Sequence, residues 1–563
     1  MKDHRISPPL PFRAVPAVPR RTRALVLALA AVPLGAAAQA QSPRAPGGPA
    51  AAEPVRAEVF VGSEAERYLR LLQLTGDAPV YPWSVRGLGP RDLDHAAPRD
   101  SAGHPWAAAY DYRRPPGARV TAVGPLVGGR YNSAFPYGFN DGVMWAGKGA
   151  TGVAMGGVAL QAGPLTLVLA PVAFVAQNDD FALARNGRPA AFRFQDPRSP
   201  QQIDYPQRFG DGAYRRIDPG ESTLRIDAGA MAVGVSTAAQ QWGPAVEQPM
   251  VLGNNAGGYP HLFLGTSRAV NIGIGRLDTR GVWGTIQQSA YSPVTGQFSR
   301  RFMAGWVATF APRFAPNLEL GITRFYHTPW PDSGLTLHNF LKPFQPWLKA
   351  SIDSTGFGAD QRGDRDNQLA SLFARWVLPR AGFEFYGEYG RDDHSWDVQD
   401  FLMEPEHASA YTLGFQKAWR RDAREVLLLR GEVMNARRSN LTRVRTQNLY
   451  YINNGTRQGH TLRGQILGAA DAYGGAASTL ALERYSPSGR WTLRWDRGLR
   501  GERAATDSLP GVLDVTHALG VERVLFVRGA ELTGGVRGVW ELNRDFGDDA
   551  FNLNATLAVR ARF

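Results

Sequence analysis

From Phe551 onward every second residue of the chain is apolar. Phe551, Leu553, Ala555, Leu557, Val559, Ala561 and Phe563 share one face, while Asn552, Asn554, Thr556, Arg560 and Arg562 share the other. A two-residue period is that of a strand and excludes a helix, whose faces repeat at 3.6 residues. The run exceeds the five or six residues of an ordinary soluble strand and fits the roughly nine to eleven that a tilted strand needs to cross a bilayer. Alternation alone leaves two partners for the apolar face, a protein core or lipid, and the rest of the chain has to separate them.

The same pattern recurs. It predicts strands at 118–128, 147–160, 164–176, 222–228, 231–239, 269–277, 281–291, 299–310, 317–326, 368–378, 382–390, 409–417, 426–436, 476–485, 490–497, 513–527, 530–542 and 551–563. The clearest is "GFEFYGEYG", with Phe383, Phe385 and Tyr389 opposite Glu384 and Glu388. An even number of strands is what bacterial membrane barrels require, and such barrels put short turns on the periplasmic rim and long loops outside. If the last strand ends in the periplasm, the short connections (528–529, 486–489, 418–425, 379–381, 311–316, 278–280, 229–230 and 161–163) all fall on the inner side. The long ones (498–512, 437–475, 391–408, 327–367, 240–268 and 177–221) all fall outside. A soluble sandwich has no reason to sort loop lengths by parity. The expected fold is therefore all-β, a transmembrane antiparallel β-barrel of about 18 strands, with the apolar face of 551–563 on lipid and Arg560 and Arg562 toward the lumen. The closing Phe563 also resembles the C-terminal signature of outer-membrane barrels, which implies the barrel assembly machinery as a partner.

The N-terminal sequence agrees with export. A basic stretch with Arg20, Arg21 and Arg23 precedes "ALVLALAAVPLGAAAQA", which ends in Ala38-Gln39-Ala40 and has the form of a signal peptide spanning residues 1–40. Those residues hold six bases (Lys2, Arg5, Arg13, Arg20, Arg21, Arg23) and one acid (Asp3), so the mature chain keeps +8 of the formal +13. For an exported chain this excess points to anionic glycans or lipid phosphates, and a nucleic-acid partner is not expected. Cysteine is absent, which removes disulfides and thiolate chemistry. The longest apolar stretch after the signal, 165–176, is too short for a helical span and contains Pro171. Residues 41–116 read as a Pro/Ala/Gly-rich linker and a small helical periplasmic region. Its helix is marked by Ser63 and Glu66 as a capping box, by Tyr68, Leu69, Leu71 and Leu72 on one face, and by Gly76 as terminator. The barrel is assigned to 117–563.

Motifs for chemistry are scarce. "GVMWAGKG" spaces Gly142, Gly147 and Lys148 like a phosphate loop, but Gly149 stands where the magnesium-binding hydroxyl belongs, and ATP is absent outside the inner membrane. GxSxG and HExxH motifs are missing. Glu404, Glu406 and His407 read as a solvated rim, and the carboxylates of 360–367 lack calcium-loop spacing. No metal or cofactor is expected, and what remains is a passive channel, a surface binder or an enzyme with an unrecognised site.

Five segments carry a resemblance: "NSAFPYGFNDGVMWAGKG" (132–149), "QQWGPAVEQPMVLGNNAGGYPHL" (240–262), "LELGITRFYH" (318–327), "FYGEYGRDDHSWDVQDFLMEPEHASAYTLG" (385–414) and "RQGHTLRGQILG" (457–468). In this order they are similar to the Wzi-type capsule assembly family. The resemblance implies an outer-membrane barrel that helps attach capsular polysaccharide to the cell surface without being an enzyme. A porin-like channel for small solutes is the alternative, and a lumen lined by Glu384, Glu388, Arg430, Glu432 and Arg494 suits either. A monomer in contact with outer-membrane lipids and lipopolysaccharide is expected.

Two sets of loop residues are the binding candidates. Trp242, Tyr259 and Trp330, with Phe340, Trp347 and Trp396, either cover the C–H faces of sugars or fold inward to plug the lumen. The Pro, Gly and Asn residues of 240–262 prevent it from continuing the sheet, so it is expected to fold back over the outer mouth. Between Glu432 and Asp471 no acid occurs, while Arg437, Arg438, Arg443, Arg445, Arg457 and Arg463 do, with Tyr450 and Tyr451 among them. Guanidinium forks there suit carboxylates or phosphates, so the loop is expected to meet an acidic polymer, lipopolysaccharide phosphates or lumen acids.

Overall fold

The computed structural model describes residues 59–562 except 99–102, 114–116, 295–299, 349–350, 352–365, 393–394, 440–441, 443–444, 501–512 and 528. The predicted signal segment, Arg443, Phe563 and most of the 360–367 carboxylate cluster therefore lie outside the described residues.

Among the described residues, eighteen antiparallel strands close into one barrel. They are β1 (Arg119–Asn132), β2 (Gly149–Ala162), β3 (Leu165–Leu169 and Val172–Ala176), β4 (Tyr214–Asp218 and Thr223–Ala228), β5 (Met231–Ser236), β6 (His261–Thr266), β7 (Gly275–Gln287), β8 (Arg300–Pro312) and β9 (Leu318–Pro329). The circuit continues through β10 (Asn367–Leu378), β11 (Phe383–Asp392), β12 (Ser409–Arg420), β13 (Val426–Asn435), β14 (Gly475–Ser486), β15 (Gly489–Arg500), β16 (Asp514–Val527), β17 (Ala530–Leu542) and β18 (Ala550–Ala561). Closure is made by β1, which pairs with β2 on one side and with β18 on the other, Leu126 opposite Arg560. A closed circuit leaves no edge, as a sheet surrounded by hydrocarbon requires. No described helix is long and apolar enough to cross a membrane.

The wall has the chemistry of a lipid-facing surface. On β18, Phe551 is 50% exposed and Asn552 is 0% exposed, and the alternation persists through Leu553, Leu557 and Val559. Exposed aromatics mark both ends of the wall: Trp376, Phe385, Trp419 and Trp491 near the short turns, and Tyr411, Trp540 and Phe551 near the long loops. Two such girdles are the pattern of an outer-membrane barrel.

The strand pattern needs correction in one hairpin. The run 269–277 is not one strand and 278–280 is not a turn: Val270–Asn271 folds back on Leu277 and Arg276, the preceding wall strand is β6, and β7, which starts at Gly275, runs through 278–280. "VNIGIG" mimics alternation, but Gly273 is left-handed (φ +87°) and the Asn271 side chain accepts its N–H at 2.9 Å, which makes the reversal there. A second difference is that 164–176 is interrupted at Ala170-Pro171. Its partner β4 breaks at the same level, where a Cβ on Gly220 would stand 2.4 Å from the Ala170 carbonyl oxygen.

The lumen is filled. At the short-turn end sits α1 (Glu64–Thr75), capped by the Ser63 hydroxyl, which accepts from Glu66 N at 3.2 Å, and ended by left-handed Gly76. Glu66 turns its carboxylate to Gly62 N (2.7 Å) and to Arg86 (2.7 Å) rather than completing the box at Ser63. With α2 (Pro90–Ala96), α1 buries Tyr68, Leu69, Leu72 and Trp106 against Val377, Ala418, Leu428 and Tyr485 of the wall. Inward-facing acids fasten this segment. Glu384 takes Arg70 at 2.5 Å and Arg375 at 2.9 Å, and Glu319 accepts the N–H groups of Trp83 and Ser84 at 2.9 and 3.0 Å.

Candidate functional site

From the long-loop rim, residues 237–260 descend into the lumen instead of lying across its mouth. Gln241 and Trp242 pair with Arg86 and Val85, so this loop meets the N-terminal segment inside the barrel. Glu432 accepts three successive N–H groups, those of Val246 (2.7 Å), Glu247 (3.0 Å) and Gln248 (2.7 Å), and also the Tyr386 hydroxyl (2.5 Å). Glu388 accepts Met250 N at 3.3 Å. A loop with no partner strand still needs its amides satisfied, and the wall carboxylates do this. The Glu247 carboxylate is held well below the ordinary range by Arg494 and Arg430, which outweigh its burial. The expected lumen residues Glu384, Glu388, Arg430, Glu432 and Arg494 are thus all engaged in holding the plug.

The loop aromatics divide. Trp242 and Tyr259 are fully buried in the lumen core with Met250, Val251 and Leu252. Tyr450 and Tyr451 lie in the same core, 4.8 Å apart by ring centroid, and the Tyr451 hydroxyl donates to Met250 O at 2.6 Å. None of these four displays a ring face to an outside ligand. Trp330 is half-buried, stacked under the Arg300 guanidinium at 3.9 Å.

Two arginines of 436–474, Arg445 and Arg463, are neutralised by carboxylates. Arg445 pairs with Asp400 (2.6 Å) and with Glu404, contacts that raise its affinity for the proton and lower that of Asp400. Arg463 pairs with Asp218. Arg457 is exposed and donates to Gln201 O at 3.2 Å. Glu404, predicted to be a solvated rim residue, is the partner of Arg445, and His407 lies near Thr446 O at 3.4 Å. Lys148 of the phosphate-loop look-alike donates to Asp180 O at 2.6 Å.

What the outer mouth does offer is a pocket of about 200 Å3 that the sequence reading missed. Residues 133–148 supply Tyr137, Phe139, Asp141 and Trp145, and residues 177–213 supply Phe181, Asp196, Arg198 and Tyr205. The loop after β13 contributes Asp471, the outer ends of β15 and β16 contribute Arg500 and Asp514, and the β17–β18 connection contributes Arg544. Four of them are fixed by neighbouring side chains and backbone. Asp196 accepts from Ser199 N (2.5 Å) and from the Tyr473 hydroxyl (2.8 Å), while Arg198 lies 3.8 Å from the Tyr473 ring centroid. Arg544 covers the Phe135 ring at 4.8 Å, and Trp145 meets Phe209 edge-on at 4.9 Å. Burial pushes the loop carboxyls Asp141, Asp196 and Asp471 above the usual range, against the pull of Arg130 on the first, Arg198 on the second and Arg500 on the third. Among the described residues the Asp514 Oδ1 atom is buried without a hydrogen-bond partner. Half-desolvated acceptors beside ring faces and guanidinium donors suit a ligand with many hydroxyls and flat C–H patches. Among the described residues no cluster of His, Asp and Glu is suited to hold a metal ion.

Comparison with known proteins places this geometry. Residues 216–486 match the family described as capsule assembly protein Wzi. Among solved structures the chain superimposes on Wzi of Escherichia coli with a TM-score of 0.59 and 14% identity, over 90% of this chain and 99% of that one. That protein is described as an outer-membrane protein involved in group 1 capsule assembly and a carbohydrate-binding β-barrel. OccAB3 of Acinetobacter baumannii gives 0.39 at 9% identity over 79% of this chain and 99% of its own. OprD of Pseudomonas aeruginosa gives 0.37 at 11% over 78% and 92%. No curated protein matches by sequence.

Proposed function

Proceeding from membership of the Wzi family, established over residues 216–486, we propose that this outer-membrane barrel binds a surface polysaccharide at its outer mouth and so helps hold capsule on the cell. The observation that carries the reading is the pocket on a filled barrel: ring faces, acceptors and guanidinium groups converge where the lumen has been closed beneath them. Closure weighs against the porin-like alternative, since solute passage needs an open path. It favours a static surface, because loops anchored to wall carboxylates lose little further entropy when a ligand binds. The pocket carries acids as well as bases, so its design suits sugar hydroxyls first. An acidic unit of the polymer would be met by Arg198 and Arg500, and by Arg457 on the neighbouring loops.

The test uses purified protein and capsular polysaccharide from the producing strain. Trp145→Ala combined with Arg500→Ala is expected to weaken binding at least tenfold, which corresponds to the loss of about 1.4 kcal/mol. Arg457→Gln is expected to weaken it less, and only at low salt. Unchanged affinity in the double variant, with heat-modifiability intact, removes the pocket as the binding surface.

A further inference from the structure

Two outer loops do not stay above the barrel. They fold down over its outside, where the short helices α3 (Leu337–Leu341) and α4 (Val398–Met403) lie against the wall. The wall positions are unambiguous, because Val282, Met303, Phe325 and Leu369 fill the lumen and their neighbours in the alternation face out. Those neighbours receive α3. Trp283 Nε1 donates to Phe340 O at 2.9 Å, Phe302 lies 5.5 Å from the Phe340 ring centroid, and Trp306 lies 5.6 Å from that of Phe344. Likewise Glu388 points inward to Met250 N, so Tyr389 and Arg391 face out, and they receive the α4 segment through Pro405 O and the Phe401 ring.

Beneath α3 the outer wall is polar. Arg324 faces outward yet is fully buried, donating to Gln345 O, to Pro346 O at 2.7 Å and to Gln368 Oε1 at 2.8 Å. Gln345 Nε2 donates to the Tyr326 hydroxyl at 2.8 Å, and Lys342 pairs with Asp366 at 2.8 Å. An arginine bare to hydrocarbon on a barrel wall is destabilising, most at the bilayer midplane and less toward the interface. The loop removes that cost by supplying carbonyl oxygens. Its own outer face then becomes the surface presented outward, and it is apolar: Leu337 (73% exposed), Leu341 (39%) and Phe344 (54%) stand at i, i+4 and i+7, followed by exposed Trp347. On α4 the exposed side chains are Val398, Leu402 and Met403, with Gln399 among them and Trp396 beside them. Soluble loops in water do not present such stripes without a partner. The stripe on α3 is continuous with the lipid belt, since the register sets Trp306 opposite Arg324, the next outward positions down β9 are Ile322 and the exposed Leu320, and Ile322 is paired with the exposed Leu372 of β10.

We propose that α3, its trailing turn and α4 form an interfacial collar seated in the outer leaflet, with Leu337, Leu341, Phe344 and Leu402 in contact with lipid acyl chains. The collar extends the lipid-facing surface beyond the strands and fixes the depth at which the barrel sits. Arg445, clamped to Asp400 and Glu404, is a latch between the loop after β13 and α4.

The sequence contains no cysteine, so a single introduced thiol reports from one place. Leu341→Cys, Phe344→Cys and Leu402→Cys would each carry an environment-sensitive fluorophore in the full chain, reconstituted in phosphatidylcholine vesicles with or without doxyl-labelled lipid. Leu372→Cys on the bare wall and Ser333→Cys on the exposed loop are the lipid and water references. The expected result is quenching by doxyl lipid as strong as at Leu372→Cys, with protection from aqueous iodide. Behaviour like that of Ser333→Cys at all three sites overturns the proposal. So does protection from both quenchers together with efficient cross-linking between copies at Leu341→Cys, which would make the stripe a contact between barrels.

Discussion

Replacing Glu432 by Ala removes one side chain and strands four donors. The carboxylate accepts from Val246 N, Glu247 N, Gln248 N and the Tyr386 hydroxyl, all inside a filled lumen. Hydrogen bonds to a charged group contribute about 1.5–3 kcal/mol each. The four share one acceptor and are not additive, and water entering the vacated space recovers part of the loss. A net weakening of the 237–260 anchor by about 3–6 kcal/mol follows. Because 1.4 kcal/mol is a factor of ten, backbone exchange at Glu247 and Gln248 is expected to accelerate by about 100-fold or more. Hydrogen exchange read by mass spectrometry on the purified barrel measures this directly. Glu432→Gln keeps one acceptor oxygen and is expected to fall between wild type and Glu432→Ala. In planar bilayers the Ala variant is expected to show intermittent conductance where wild type is silent. Wild-type exchange at these amides in a correctly assembled Glu432→Ala barrel would refute the idea that wall carboxylates hold the plug.

Glu384→Gln leaves the buried guanidinium groups of Arg70 and Arg375 without their shared counter-charge and is expected to destabilise the N-terminal segment by about 3–5 kcal/mol. Limited proteolysis of residues 59–112 in the assembled barrel checks this. Burial, together with Arg301 nearby, lowers His460 to about 3, although its Nε2–H donates to Val251 O. Its folded value lies below the unfolded one of about 6.5, so its contribution is fully present above pH 6.5 and is lost at about 1.4 kcal/mol per unit as pH falls toward 3. Conductance against pH should show the plug loosening over that window, and His460→Gln should move the onset to lower pH. Arg445→Gln is expected to raise protease sensitivity around residues 396–406 while leaving polysaccharide binding unchanged, because its charge is already spent on Asp400 and Glu404.

The wall was legible because most of the crossing strands repeat one instruction, an apolar residue at every second position toward lipid. Phe383, Phe385 and Tyr389 carry it opposite Glu384 and Glu388, and Phe551, Leu553, Leu557 and Val559 carry it opposite Asn552 and Asn554. It failed where a local sequence imitated it: "VNIGIG" has the β-branched spacing of a strand, and Gly273 turns it. The first half of β4, "YRRID", lay hidden in what read as an outer loop, since its arginines contradict a lipid face. The mouth was hardly legible at all. Arg443, Arg445, Arg457 and Arg463 form a basic run in sequence, yet Asp400, Glu404 and Asp218, which neutralise two of them, come from distant loops and strands. Tyr450 and Tyr451 looked like displayed rings but serve the lumen core. The pocket draws Trp145, Asp196, Asp471 and Arg500 from four separate stretches, so no period or spacing marks it. The one usable signal was the density of aromatics in "NSAFPYGFNDGVMWAGKG", three of which line the pocket.

If a plugged barrel holds polysaccharide at its outer mouth, the quantity to measure is the fraction of capsular polysaccharide that stays cell-associated when cells lacking the protein are complemented with wild type or with Trp145→Ala/Arg500→Ala. The variant is expected to assemble in the outer membrane at wild-type level and to shed polysaccharide into the medium as the deletion does. Retention equal to wild type by an equally abundant variant would contradict it.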